Sequence, residues 1–248
     1  MPRYFIQLSY DGAAYHGWQV QPNGITVQQV LTNAMQIVLR QEVALTGAGR
    51  TDAGVNARCM VAHFDCETPV DGGWLTDKLN RLLPCDISIS GVREVGPDAH
   101  ARFDALWRKY EYLVTTEKNC FMNRYAMRLY RQPDFDLMNC VARDYLLGRK
   151  DFTSFSKLHT DVKTNICEVM EAHWDSVEGE PGLWKFTIRA DRFLRNMVRA
   201  VVGTLLMVGQ GKMSPEAFSQ VLDCKDRCAA GTSVDAKGLF LVEVAYPY

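Results

Sequence analysis

The sequence predicts an α+β fold made of two βαββαβ halves, each in the ferredoxin-like order. Three observations carry that expectation. Residues 1–104 alternate between the strand and helix periods as strand, helix, strand, strand, helix, strand. Residues 105–248 run through the same order again. No residue-level repeat accompanies it, so the duplication rests on element order. The split is expected near His100–Ala105, giving a half of 1–104 and a half of 105–248, a two-part sheet and a cleft between the parts.

Each element has a local reason. Tyr4, Ile6, Leu8 and Tyr10 alternate with Phe5, Gln7 and Ser9, so residues 3–10 read as a strand that Asp11-Gly12 ends. Thr26 and Gln29 have capping-box spacing. Behind them Val27, Val30, Leu31, Ala34, Met35, Val38 and Leu39 hold one helical stripe, which must lie on a sheet. Val43–Thr46 reads as a short strand. A longer one follows, with Met60, Ala62 and Phe64 on one side and Cys59, Val61 and His63 on the other. A second helix passes through Trp74, Leu75, Leu79, Leu82 and Leu83 and stops at Pro84. Ile87, Ile89 and Val92 mark another strand.

In the second half, Leu106–Thr115 is a strand with Tyr110, Tyr112 and Val114 on one face. A helix is expected over Asp136–Leu147, closed by Gly148. Thr164–Ser176 and Leu183–Ala190 read as strands paired around a Gly/Pro turn. A helix over Phe193–Val208 ends at Gly209, and a short one follows with Ser214 as cap and Pro215 in its first turn. Leu239–Val244 is the last strand. Loops 116–133 and 148–163 are long enough to reach over a cleft.

Composition narrows the class. The chain has 248 residues, 47% of them hydrophobic, enough for a large core. No apolar run is long enough to span a bilayer, and the first residues enter a strand pattern rather than a signal-peptide core. The eight cysteines are scattered, which suggests reduced thiols in a cytoplasm. Only Cys224 and Cys228 are close, without a second pair or a nearby His, so no metal site is expected. A net charge of −1 argues against a uniformly basic nucleic-acid binder. Acidic residues outnumber basic ones before residue 105 and the reverse holds after it, so a local basic surface stays open.

Three stretches are candidates for function. Gly47–Ala57 sets Arg50-Thr51-Asp52 among small residues, on a tight loop between two strands. Asp52 there reads either as a working carboxylate or as a cap on nearby N–H groups. The glycines do not fit a dinucleotide or phosphate loop, because the third comes too late and no Gly-Lys-Ser/Thr follows. Tyr15–Pro22 is dense in aromatic and amide side chains, suited either to stacking on a base or to packing as a surface loop. Arg192, Arg195 and Arg199 fall at i, i+3 and i+7 of the expected helix and would share one face. No acid at helical spacing balances them, so phosphates or a distant carboxylate would.

Together these stretches resemble the tRNA pseudouridine synthase A family. The likeness runs through Tyr10-Asp11-Gly12, Gly17-Trp18-Gln19-x-Gln21, Gly49–Val55, His63-Phe64-Asp65 and His100–Phe103. It continues through Arg108-Lys109-Tyr110-x-Tyr112, Asp151-Phe152, Phe193-Leu194-x-x-Met197-Val198-Arg199 and Gly238-Leu239-x-Leu241. The resemblance implies the pseudouridine synthase fold, an extended, mostly antiparallel sheet with helices on one side and a central cleft. It implies isomerisation of uridine to pseudouridine at positions 38, 39 and 40 of the tRNA anticodon stem-loop, by a homodimer with no cofactor. Asp52 matches the catalytic aspartate and Arg199 the basic residue paired with it. Tyr110 matches the tyrosine that stacks on the target base, Leu239 an apolar pocket wall, and Arg50 the arginine that helps displace the flipped nucleotide. Arg192 and Arg195 are expected on RNA phosphates. One departure is Asn56, where the family has His; it cannot titrate and is given no catalytic part. Two other readings stand beside this one. The first is an RNA-binding protein that has lost chemistry, against which the intact residue set argues. The second is a nucleoside hydrolase or glycosidase, which would need a second carboxylate; none lies within several residues of Asp52 in sequence, although the fold could bring one in.

Overall fold

The fold is given by a computed structural model that describes residues 1–157 and 164–248. The chain forms two compact units, one of Met1–Leu106 with Phe240–Tyr248 and one of Trp107–Leu239. The first carries β1 (Arg3–Tyr10), α1 (Val27–Leu39), β2 (Thr46–Gly47), β3 (Asn56–Asp65), α2 (Gly72–Leu82) and β4 (Ile87–Val95). The second carries β5 (Trp107–Thr115), β6 (Met127–Arg128), α3 (Phe135–Val141), β7 (Gly148–Asp151), β8 (Ile166–Ser176), β9 (Leu183–Ala190), α4 (Met197–Gly209) and α5 (Pro215–Cys224). The last strand is β10 (Leu239–Ala245). The α+β class and the mostly antiparallel pairing are as expected.

In the first unit β1 is central, with Phe5 opposite His63 of β3 on one side and Arg93 of β4 on the other, both antiparallel. The far edge of β3 is shared. β2 pairs antiparallel with its end, Thr46 opposite His63 and Gly47 opposite Ala62. β10 pairs parallel with its beginning, Phe240 opposite Asn56 and Leu241 opposite Ala57. The strand expected over 43–46 shrinks to Thr46–Gly47. With Thr46 opposite His63, only Phe64 and Asp65 remain on β3 for the residues before it. Thr26 caps α1, its hydroxyl accepting from the Gln29 N–H at 3.3 Å, and Val27, Leu31, Ala34 and Met35 are buried. Asp71 caps α2, and Asn80 ties that helix to β4 through both main-chain groups of Ile89, at 2.7 and 2.8 Å.

The face of β1 that carries Phe5 is closed by the C-terminal residues. Tyr246 meets the Phe5 ring edge-on at 4.9 Å and donates its hydroxyl to the Ala101 carbonyl at 2.6 Å. His63 lies on the same face, 7% exposed, with Nδ1 accepting from the Ala101 N–H at 3.1 Å. Burial, aided by repulsion from His100 4.5 Å away, holds its pKa down to about 4. The folded value lies below the ordinary imidazole value, so the unfolded chain takes up this proton first. The contribution to stability is complete at neutral pH and is lost as pH falls from about 6.5 towards 4. Thermal melts should therefore show His63→Asn, which keeps an acceptor but cannot titrate, losing less stability than the wild type over that window. Equal losses would remove His63 as the cause.

In the second unit β5, β9, β8 and β7 run side by side, all antiparallel, with Tyr112 opposite Phe186 and Ile188 opposite Ala172. β6 adds to β5 in parallel. This unit departs from the expected order in three ways. Two short strands, β6 and β7, fall within the two stretches read as long loops. Residues 158–163 of the second stretch lie outside the described residues. The helix expected over Asp136–Leu147 is α3 followed by a π-helical turn over Ala142–Leu146. The closing strand, β10, finds its registered partner in β3, so residues 240–248 fold with the first unit. The core of the second unit is α4, where Ala200, Val201, Val202, Gly203 and Thr204 are all buried. Only Arg199, Met207 and Gly209 of this helix keep partial exposure, so it has no continuous solvent face.

Candidate active site

The Asp52 loop is a turn held from behind by residues 10–18. The Val55 N–H donates to the Asp52 carbonyl at 3.2 Å, and Gly54 takes a positive φ of 77° that a larger residue would resist. Gly54 N–H donates to the Tyr15 carbonyl at 3.2 Å, and Trp18 N–H to the Thr51 carbonyl at 3.4 Å. The Tyr10 hydroxyl and the Thr51 hydroxyl are 2.9 Å apart. The two backbones approach so closely that only glycine fits at two positions. A Cβ on Gly12 would lie 2.1 Å from the Val55 carbonyl oxygen, and one on Gly17 2.3 Å from that of Thr51. Asp52 is half-buried on this loop and Arg50 is exposed.

The aromatic run before the loop packs inward. Trp18 is 2% exposed, with its indole against Gly47, and Tyr15 is buried with its hydroxyl donating to Asp86 Oδ1 at 2.6 Å. Burial and that carboxylate push the Tyr15 phenol pKa up. For the Tyr15 and Trp18 rings the packing reading holds, and they form the platform on which the catalytic-candidate loop rests, while His16, Gln19 and Gln21 of the run are exposed. Asn56 belongs to the same platform. It is 3% exposed, and its Oδ1 accepts from the buried Gly12 N–H at 2.8 Å. Asn56→Ala strands that donor, so chemical denaturation should show a loss of about 1–3 kcal/mol. A variant as stable as the wild type would mean that the bond contributes nothing.

The remaining candidates lie on the second unit. Tyr110, on β5, is buried and meets Phe193 edge-on at 5.0 Å. That contact sets Tyr110 beside the segment bearing Arg192 and Arg195. Arg199 stands in the first turn of α4, half-buried, with Nε donating to the Val234 carbonyl at 2.7 Å. The Val234 N–H returns a bond to the Arg199 carbonyl at 3.2 Å. Residues 231–235 are pinned along their length. Gly231 N–H donates to Thr204 Oγ1 at 2.9 Å, and Asn196 and Arg227 donate to Ser233 Oγ at 2.6 and 2.8 Å. The Tyr112 hydroxyl donates to the Asp235 carbonyl at 2.8 Å, and burial pushes its pKa up. Gly203 allows this contact, since a Cβ there would lie 2.0 Å from the Thr232 carbonyl oxygen. Leu239 is buried at the start of β10.

The shared helical face of the three arginines does not form. α4 begins at Met197, and Asn196 before it is left-handed, with φ 68°. Arg192 and Arg195 therefore lie on the segment leading into the helix, the first half-buried and the second exposed. That segment is shaped by Asp191, whose Oδ1 accepts from the N–H groups of Glu168 and Arg192 at 2.8 and 2.7 Å. Sequence reasoning also left out Asn196, Arg227 and the 231–235 segment, whose partners are set by long-range contacts. Among the described residues no group of three or more His, Cys, Asp or Glu is placed to hold a metal ion, and no helix is long and apolar enough to cross a membrane.

Comparison with known proteins gives the family. A family model described as tRNA pseudouridine synthase matches residues 7–104 and 142–247. A protein of Bacteroides thetaiotaomicron named tRNA pseudouridine synthase A is 60% identical over 247 residues, covering 100% of this chain and 91% of its own. Proteins of the same name from Bacteroides fragilis and Parabacteroides distasonis are 56% and 55% identical, covering 99% and 100% of this chain and 96% and 97% of their own. Tyr110 falls in the stretch 105–141 that the family model leaves unmatched, although these relatives align across it. With a family match over most of its length and relatives of this identity along all of it, the chain belongs to the tRNA pseudouridine synthase family.

Proposed function

We propose that this protein converts uridine to pseudouridine at positions 38, 39 and 40 of the tRNA anticodon stem-loop, with Asp52 as the catalytic carboxylate. Family membership makes it an enzyme that isomerises uridine in tRNA; the stem-loop positions and the residue roles are the finer part of the reading. The observation that supports it best is the Asp52 loop. A half-buried carboxylate stands on a turn whose shape is held by Gly12, Gly17, Asn56 and the Tyr15 and Trp18 rings.

The reaction breaks the bond from ribose C1′ to N1 of uracil and forms one from C1′ to C5. N1 gains a proton and the C5 hydrogen leaves to solvent. The target base lies within a stacked stem, so the nucleotide must be flipped out first. Asp52 then attacks C1′ or assists elimination at the sugar. In this reading Arg199 keeps Asp52 ionised, because an adjacent cation favours the charged carboxylate. Tyr110 stacks on the uracil, Leu239 walls the pocket, Arg50 displaces the flipped nucleotide, and Arg192 and Arg195 meet phosphates. The enzyme works as a cytoplasmic homodimer without cofactor or metal.

Tritium release from tRNA transcribed with 5-tritiated uridine tests the reading. Release is expected from a tRNA with uridines at 38, 39 and 40 and should vanish when all three are cytidine. Undiminished release from the substituted tRNA would move the target elsewhere. Uracil freed from uridine nucleoside would point to a hydrolase instead.

A further inference from the structure

Residues 116–131, between β5 and α3, hold Lys118, Arg124, Arg128 and Arg131 against one acid, Glu117, in a chain of net charge −1. The loop is well anchored. Asn119 Oδ1 accepts from the N–H groups of Phe121 and Met122 at 3.0 and 3.1 Å. Ala126 N–H donates to the Met122 carbonyl at 2.8 Å, and Leu129 N–H to that of Thr115 at 2.7 Å. β6 sits in register with Val114 and Thr115, and Lys237 donates to the Asn123 carbonyl at 2.9 Å. Ala126 and Leu129 are buried.

With those groups turned inward, much of the rest of the loop faces solvent, and Asn119, Met122, Tyr125 and Met127 are half-buried. Phe121 and Tyr130 are 86% and 87% exposed, and Arg124, Arg128 and Arg131 are exposed as well. The Arg128 guanidinium lies 5.1 Å over the Tyr130 ring, and that of Arg124 5.8 Å over Tyr125. Among the described residues neither Arg128 nor Arg131 has a carboxylate within ion-pair distance. Cations interleaved with exposed flat rings are what a single-stranded or looped nucleic acid needs, phosphates meeting the cations and bases stacking on the rings. Holding an arginine against a ring also orders its planar fork before a phosphate arrives.

We infer that this loop is an RNA-contact surface, in which Arg124, Arg128 and Arg131 meet phosphates and Tyr130 stacks on a base. The inference rests on tRNA being the substrate and adds residues that the reaction itself does not use. The loop falls within the stretch 105–141 that the family model leaves unmatched. A second copy of the chain is the other occupant that exposed rings could take. Placed on a two-fold axis, this patch would meet its own copy and set four cations against four, which charge complementarity disfavours.

The test is equilibrium binding of unmodified tRNA across a salt series, with the single-turnover rate at saturating tRNA and the oligomer mass measured alongside. The triple change Arg124→Ala, Arg128→Ala and Arg131→Ala should weaken binding by about tenfold or more and flatten the salt slope by about two to three. The saturated rate and the oligomer mass should not change. The corresponding triple lysine variant should stay near wild type, which separates lost charge from lost folding. Tyr130→Ala should weaken binding roughly tenfold without altering the slope, and Tyr130→Phe should not. Wild-type affinity and slope in the triple alanine variant would overturn the inference, as would a change of oligomer mass, which would assign the loop to self-association. If the wild-type protein itself neither binds nor modifies tRNA, the functional reading fails. If the wild type does both and the loop variants match it, only the loop assignment fails.

Discussion

Replacing Asp52 with asparagine is expected to lower the single-turnover rate on tRNA by on the order of 10⁴-fold or more, as removal of a reacting group does in other enzymes. Affinity for tRNA should stay nearly as it was, because phosphate contacts carry most of it. Asparagine keeps the shape of the side chain and its turn, since the loop is also held by main-chain bonds with Tyr15 and Trp18 and by the Asn56 side chain on Gly12. A loss of rate in this variant is therefore a loss of chemistry. Asp52→Ala should behave alike. Turnover near the wild-type level in either variant, with the fold intact, would end the assignment. The bland reading of Asp52, a carboxylate that only caps its own turn, predicts a loss of stability with activity largely preserved.

The parts of this fold that were legible are those in which one segment decides its own state. β1 and β9 match the expected strands at 3–10 and 183–190, because clear alternation is bounded by turn residues. Thr26 starts α1 because the hydroxyl and the helix it caps are neighbours. What stayed hidden depends on distant partners. Nothing local tells β10 to pair with β3, nor β2 that β3 ends two residues beyond its register. The segment 193–196 carries apolar spacing that suits a helix, yet Phe193 spends its ring on Tyr110 and Asn196 turns left-handed. Hydrophobic periodicity cannot see either event.

The candidate site divides along the same line. Asp52, on a small-residue turn between strands, stands out in the sequence because such turns are local. Asn56 looked like a lost family histidine, and its work is done on Gly12, 44 residues earlier. Arg199 looked like the last member of a triad, and its Nε is committed to Val234, 35 residues later.

That commitment shapes the second large effect. Arg199→Ala is expected to lower the single-turnover rate by about 10²–10³-fold, the size seen when one preorganised charge-stabilising donor is removed. On the proposed pairing, the loss would come from leaving the Asp52 carboxylate without its cation. The same change removes the bond to the Val234 carbonyl, so it should also cost about 1 kcal/mol of stability. Arg199→Lys keeps the charge without the planar fork, so it should recover part of the rate. Arg227→Met is the control, because Arg227 pins the same segment through Ser233 and Gly231. It should lower stability as Arg199→Ala does and leave the rate near wild type. If Arg227→Met slows the reaction as much as Arg199→Ala, Arg199 acts by holding residues 231–235 in place and not by its charge. If Arg199→Ala binds tRNA poorly but reacts normally once saturated, the residue belongs to RNA binding, and its pairing with Asp52 is wrong.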